Sequence, residues 1–346
     1  MVLIGCDFHP SWQQVSWLDR GSGETGDEKL LHEAGAVEKF YKRFPAGSRV
    51  GMEATGNCQW FVETVQRTGH ELWVGDAARI RASDVRQQKH DKRDARLLVQ
   101  LLAEERFPRI WIPSREEKDL RQLLIHRHKL VRIRVQLKNG LQNLAMNQGL
   151  LKKRKLWSEA GQRALCELPL APWASRRRAD LLKMMSELDG KIDVLDRAVV
   201  DAAESNKKAR LLMTQPGVGP ITAMAFVLTL GEASRFPRGK QVASYLGLIP
   251  REYSSGGKQR LGSISKQGSS FLRMLLVEAA QVAVRCDPQM RSEYLHRCRR
   301  MAKGVAKVAA ARKLAIRLYW MLRTNTAYPE VVRVESSSRV ALAGAS

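Results

Sequence analysis

The sequence predicts a three-part chain: an α/β layer with a mixed sheet, a middle of long helices, and a mostly helical third part. Three observations carry this. Over residues 1–112, short apolar runs closed by turn residues alternate with helical patterns. From 113 to 208 Pro and Gly become scarce, Leu is frequent, and charges recur at helical spacing. Residues 209–328 return to apolar helical patterns broken by Gly- and Pro-containing loops, and 329–346 read as a small, polar, loose tail.

VLIGCDF is a short apolar run bounded by His9-Pro10, and QQVSWLD follows as its hairpin partner, ending at Gly21-Ser22-Gly23. A helix over 36–43 leads to the strand RVGMEA. A helix bearing Trp60, Phe61, Val62 and Val65 precedes the strand ELWVGD, and a helix over 90–106 places Leu97, Leu98, Leu101 and Leu102 on one stripe. In the middle part, EEKDLRQLLIHRHKLVRIRVQLKNGLQNLA forms one long helix and 179–206 a second, on either side of a polar stretch at 152–155. Leu181, Met185, Leu188, Ile192, Leu195 and Val199 alternate steps of three and four residues, the seam of a coiled coil; an antiparallel arm or a dimerising stalk would satisfy it. The uncharged stretch 211–231 contains Pro216, Pro220 and three glycines, which predicts a buried helical pair rather than a membrane span. A last helix over 301–323 carries Lys303, Lys307, Arg312, Lys313, Arg317 and Arg323 around an apolar face.

The charge balance points to a partner. Fifty-nine Lys and Arg against 35 Asp and Glu give a net charge of +24 over 346 residues. Such an excess repels itself in a compact state, and a polyanion relieves it. Nucleic acid fits, because each phosphate neutralised releases a condensed counterion; nothing in the chain favours an anionic membrane. The opening MVLIGCDFHP has no basic n-region and meets Asp7, so it predicts no secretion signal. Cys6, Cys58, Cys166, Cys286 and Cys298 are odd in number and lack C-x-x-C spacing, the usage of reduced cytosolic thiols rather than of disulfides or structural zinc.

Four acids stand out. Asp7 closes the first strand, Glu53 closes RVGMEA, and Asp91 and Asp94 lie three apart on one side of a helix. Strand-end and helical carboxylates of this kind can converge at one end of a sheet, where mutual repulsion calls for cations. Two Mg2+ ions would neutralise them and stabilise the attacking and leaving oxygens of a phosphodiester. Spacing alone also allows turn residues and a solvated helix face paired to Lys92 and Arg93. The small residues after Glu53 in GMEATG leave space for a ligand.

Two glycine-containing loops follow. In TQPGVGPITA, Gly217 and Gly219 separate a polar turn from an apolar helix, either a helix-hairpin-helix loop offering backbone N–H groups to a phosphate or a plain interhelical turn. In EYSSGGKQRLGSISKQGSSFLR, Ser254 and Ser255 precede a glycine pair, with Lys258, Arg260, Lys266 and Arg273 close behind. These cations could stabilise a phosphorane formed by a serine nucleophile, or the loop could be a polar turn that only binds phosphate.

The ordered motifs CDFHPSWQ, VGMEATG, KHDKRDARLL, QPGVGPITA and GLIPREYSSGGKQRLGSISKQGSSFLR, spanning about residues 3–284, resemble the DEDD-type insertion-sequence transposases, also called bridge-RNA-guided recombinases. The resemblance implies an RNase H-like (RuvC-like) first domain whose four acids, matched by Asp7, Glu53, Asp91 and Asp94, bind magnesium. It also implies a coiled-coil dimerisation arm over 113–208 and a helical transposase domain over 209–328 with a helix-hairpin-helix. The family's serine nucleophile, which links covalently to DNA, matches the SSGGK loop: Ser255, directly before the glycines, with Ser254 as the alternative register. By the same resemblance the partners are donor and target DNA duplexes, a structured guide RNA and further copies of the chain in dimers or tetramers, in a bacterial or archaeal cytoplasm at the nucleoid. The competing readings are a junction-type endonuclease using metal-activated water and a non-catalytic nucleic-acid-binding protein.

Overall fold

A computed structural model describes residues 1–83, 91–151 and 155–331. The chain divides into two compact units, Met1–Ile112 and Pro113–Ser346.

The first unit is a five-stranded sheet between helices. Its elements are β1 (Val2–Phe8), β2 (Trp12–Asp19), β3 (Thr25–Leu31), α1 (Ala36–Tyr41), β4 (Arg49–Glu53), α2 (Gln59–Arg67), β5 (Glu71–Gly75), α3 (Ala77–Ala82) and α4 (Asp91–Ala103). The strand order is β3-β2-β1-β4-β5; the β1–β2 and β2–β3 pairs are antiparallel and the β1–β4 and β4–β5 pairs parallel. Alternation along each strand assigns the two faces. Ile4, Cys6, Val50 and Met52 pack against Phe40, Tyr41, Phe61 and Val65 of α1 and α2. Leu3 belongs to the opposite core, with Leu98, Val99, Leu101 and Leu102 of α4. β3 was not foreseen: TGDEKLL is too polar to read as a strand, yet it forms the exposed edge beside β2, where charge protects an open edge.

The second unit is helical: α5 (Arg115–Asn147), α6 (Glu159–Glu167), α7 (Pro172–Ser205), α8 (Lys207–Met213), α9 (Pro220–Leu230), α10 (Gly239–Tyr245), then the strands β6 (Pro250–Glu252) and β7 (Leu261–Ile264), and α11 (Ser270–Cys286), α12 (Pro288–Arg300) and α13 (Lys303–Thr324). α5 opens with a capping box, Ser114 to Glu117, and runs antiparallel to α7. Arg127–Asp196 at 2.5 Å and Arg134–Asp189 at 2.8 Å fix the register of the pair. The seam residues Ile192 and Val199 are buried and the other four half-buried. At the far end Leu141, Leu144, Leu156 and Leu165 make a small separate core with α6. Residues 152–154 of the polar stretch lie outside the described residues.

α9 is buried nearly all round, which accounts for the uncharged stretch, and it centres the main core with α8, α11 and α13. Among the described residues no helix is long and apolar enough to cross a membrane. Of the cations that the sequence sets around the apolar face of the last helix, Arg317 is instead fully buried, its Nη1 donating to the Asp287 carboxylate at 2.5 Å. The face of α13 that carries it points into the core rather than to a polyanion.

Candidate active site

The geometry of the first unit begins with glycine. β1 places Leu3, Gly5 and Asp7 on the face that α4 covers, and β4 places Gly51 and Glu53 there. A Cβ at Gly5 would stand 2.2 Å from the Ala95 carbonyl oxygen and 3.0 Å from the Leu98 Cβ, so only glycine lets α4 lie directly on the central strand. Gly51 does the same under Leu102 and Phe107. This close approach brings the first turn of α4 over the end of β1. Gly5→Ala is therefore expected to cost about 1–3 kcal/mol by forcing helix and sheet apart, measured by chemical denaturation; an unchanged midpoint would show that α4 is not held there.

At that end Asp7, His9 and Asp91 each offer a ligand atom, and all three atoms lie within 4.8 Å of one another. Burial pushes the Asp7 carboxyl above its ordinary range; the neighbouring His9 opposes the rise, and Asp94 and Asp91 add to it. Asp94 is thus in electrostatic reach of Asp7, one helical turn beyond Asp91. α4 is held laterally by the Arg96 guanidinium, which grips the Asp27 carboxylate on β3, itself accepting from Ser16 Oγ at 2.6 Å.

Glu53 stands apart from this group. The register that pairs Cys6 with Met52 puts it beside Asp7 at the end of the neighbouring parallel strand. Its carboxylate, however, accepts from Arg81 Nη2 of α3 at 3.1 Å. Arg81 is 77% exposed, and a surface pair of this kind is worth little and opens readily. The structure thus joins Asp7 and Asp91, keeps Asp94 within reach and leaves Glu53 paired to an exposed cation. His9 is the residue that sequence reasoning missed: it was read as a turn residue, although an imidazole two positions from a strand-end Asp is itself a metal-ligand signal.

The donor set suits a divalent ion. Two carboxylates and an imidazole within 4.8 Å of one another, one carboxyl already destabilised by burial and like charge, are chemistry that a cation relieves.

In the second unit the SSGGK segment is the turn of a hairpin between β6 and β7, not an irregular loop. Gly256 and Gly257 both have positive φ, 56° and 75°, and Lys258 N–H donates to the Ser255 carbonyl at 3.1 Å. That is the pattern of a two-residue primed turn, for which Gly-Gly between strands is the sequence signal. The two serines differ. Ser254 Oγ is engaged, donating to Glu252 Oε1 at 2.6 Å and accepting from the Arg260 N–H at 3.1 Å. Ser255 is exposed at the turn, and its hydroxyl has no hydrogen bond among the described residues. Every residue from Arg251 to Ser263 is exposed, including Lys258 and Arg260; Lys266, also exposed, follows in a left-handed conformation.

Two residues chosen for phosphate contact have internal tasks. Arg273 Nη1 donates to the carbonyls of Leu246, Gln267 and Gly268, bracing the start of α11, and burial lowers its pKa. Gly217, with φ of 87°, packs on α11: a Cβ there would meet the Ala279 carbonyl oxygen at 2.5 Å and the Ala283 nitrogen at 2.9 Å. Packing therefore explains this glycine without a phosphate. Gly219 caps α9 and has open space around it.

A DEDD-type domain model described as a transposase matches residues 4–147, and a model of the Transposase IS116/IS110/IS902 family matches 209–295. A probable family 20 transposase of Pseudomonas aeruginosa is 30% identical over 336 residues, covering 94% of this chain and 98% of the relative. The transposases of insertion sequence elements IS1111A of Coxiella burnetii and IS1328 of Yersinia enterocolitica are 27% and 28% identical, covering 82% and 80% of this chain and 78% and 84% of their own. The chain belongs to the IS116/IS110/IS902 family of transposases, enzymes that cut and rejoin DNA.

Proposed function

We propose that the chain recombines DNA by joining a metal-dependent acidic centre to a serine nucleophile, with Mg2+ held by Asp7, Asp91, Asp94 and, once Arg81 releases it, Glu53. The observation that carries this is the convergence of Asp7, His9 and Asp91 at the end of β1, inside the segment matched by the DEDD-type model. Three antiparallel strands continued by two parallel ones, with the acids at the β1 and β4 ends, support an RNase H-like (RuvC-like) reading of the sheet. The bound ion would supply charge stabilisation at the scissile phosphate. Ser255 Oγ gives up its proton to solvent and attacks the phosphorus, forming a new P–O bond while the bond to the leaving strand oxygen breaks. That oxygen departs as a hydroxyl after taking up a proton, and reversal at a second strand completes exchange. Lys258, Arg260 and Lys266 lie on the exposed hairpin or just beyond it and suit the developing negative charge.

The remaining features fit the same reading. The α5/α7 pair serves as a coiled-coil arm through which protomers associate as dimers or tetramers, and Gly219 at the α9 terminus faces a phosphate as in a helix-hairpin-helix. The divisions 1–112, 113–208 and 209–328 are the catalytic, arm and serine-bearing parts. Base pairing of a structured guide RNA with donor and target duplexes selects the sites, so that the +24 charge serves backbones. The setting is the nucleoid of a bacterial or archaeal cytoplasm. The test is Ser255→Ala: it is expected to abolish the protein–DNA adduct and recombination, both assayed on gels, with Ser254→Ala retaining the adduct. Wild-type recombination by Ser255→Ala would remove Ser255 from the chemistry, and cleavage with neither adduct nor rejoining in the wild type would instead favour a junction-type endonuclease using activated water.

A further inference from the structure

Beside the carboxylates of the acidic centre stands one imidazole, that of His9. We propose that His9 is a direct metal ligand, making with Asp7 and Asp91 a mixed nitrogen–oxygen site that holds Mn2+ more tightly than Mg2+. The inference deepens the metal-dependent reading of this site and rests on it.

His9 Nε2 lies 3.1 Å from Asp7 Oδ2. Neighbouring ligands in an octahedral shell at about 2.1–2.2 Å from the ion stand about 3 Å apart, so the observed spacing already matches one edge of such a shell. The Asp91 ligand atom lies within 4.8 Å of both, close enough for a small side-chain movement to gather all three on one ion. The ring is also held in place. It stacks on Trp12 at 4.1 Å between centroids and 21° between planes, and the His9 backbone N–H donates to the Trp12 carbonyl at 2.9 Å across the β1–β2 turn, which fixes the main chain that carries the ring. Lys29 Nζ sits 4.2 Å from the Trp12 ring centroid and fixes that indole in turn. With 29% of its side chain exposed, His9 is still open to an entering ion. A hydrogen bond to Asp7 alone would need none of this clamping. Mg2+ takes oxygen almost exclusively, whereas Mn2+, a first-row transition ion of similar size, accepts an imidazole nitrogen more readily, so a nitrogen in the shell shifts preference toward Mn2+.

The test uses the full-length protein, without DNA. Mn2+ and Mg2+ affinities are measured by calorimetry, and pulsed electron paramagnetic resonance of the Mn2+ complex reads directly bound nitrogen. Wild type is expected to show 14N modulation. His9→Ala and His9→Gln are both expected to lose it and to weaken Mn2+ binding about tenfold or more, with a smaller change for Mg2+. His9→Gln can still donate to Asp7, so recovery of Mn2+ affinity by that variant would reduce His9 to a hydrogen-bonding role and overturn the proposal. So would nitrogen modulation absent from wild type or persisting in His9→Ala. If those results arise while Asp7→Asn still abolishes Mn2+ binding, the carboxylate reading stands and only the histidine role falls. If wild type binds no divalent ion, both fall.

Discussion

Asp7→Asn is expected to reduce DNA strand cleavage by roughly a thousandfold or more while raising the melting temperature of the metal-free protein. The two effects share one cause. Burial raises the Asp7 pKa, and Asp94 and Asp91 raise it further against the opposition of His9. A carboxyl whose folded pKa exceeds its unfolded value binds protons more readily in the folded state. Its favourable contribution is therefore complete below the unfolded pKa and is lost as pH rises through the folded one. At neutral pH the ionised group is a cost, and an amide of the same shape removes it. Divalent ions reverse the order, since a ligand that binds only the folded wild type stabilises it by mass action. Thermal unfolding of both proteins in EDTA and in excess Mg2+, beside a cleavage assay, reads all of this. Cleavage at the wild-type rate by Asp7→Asn would remove the carboxylate from the chemistry, and a lower melting temperature in EDTA would remove the strain.

The largest loss of stability should come from the helical unit, with Asp287→Ala. Asp287 caps α12 by accepting from the Met290 N–H at 2.9 Å, and its second oxygen takes Arg317 Nη1 at 2.5 Å. Arg317 has no exposed surface and lies among the core residues of α13. Taking away the carboxylate strips a buried guanidinium of an ionic partner, at a cost of about 3–5 kcal/mol, with roughly a further 1 kcal/mol for the cap. Urea denaturation measures it. The double change Asp287→Asn with Arg317→Met should recover much of the loss, because neither charge then remains buried. A deficit below 1 kcal/mol in Asp287→Ala would show that the pair is not a structural hub.

Strong periodicity made most elements legible in the sequence. The strands around Ile4 and Val50 and the stripe of Leu98, Leu101 and Leu102 were visible because burial imposes a repeat of two or of about 3.6. The seam ending at Val199 was visible for the same reason. The elements that escaped lack such a repeat. β3 is a charged edge, and the β6–β7 hairpin has no buried face of its own, so only its Gly-Gly turn marked it. At the site, strand ends and helix spacing were enough to single out Asp7, Asp91 and Asp94. The tie of Glu53 to Arg81, 28 positions on, the pairing of Arg317 with Asp287 and the clamping of Arg273 by carbonyls are long-range choices of partner. Residue type states only that a charge exists, not what answers it. Gly5 belongs with these, since its necessity comes from a helix 90 positions away.

The register between α5 and α7 sets a length. In both cross-links the two residue numbers have the same sum, so the pair behaves as a straight strut whose two rails cannot slide. Thirty-three residues at a rise of 1.5 Å give about 50 Å, comparable to some fifteen base-pair steps of 3.4 Å. Seven residues added to both rails at matching heights would extend the strut by about 10 Å with its rungs intact. The same addition to one rail would unpair them. Any spacing the strut measures should therefore change in whole heptads.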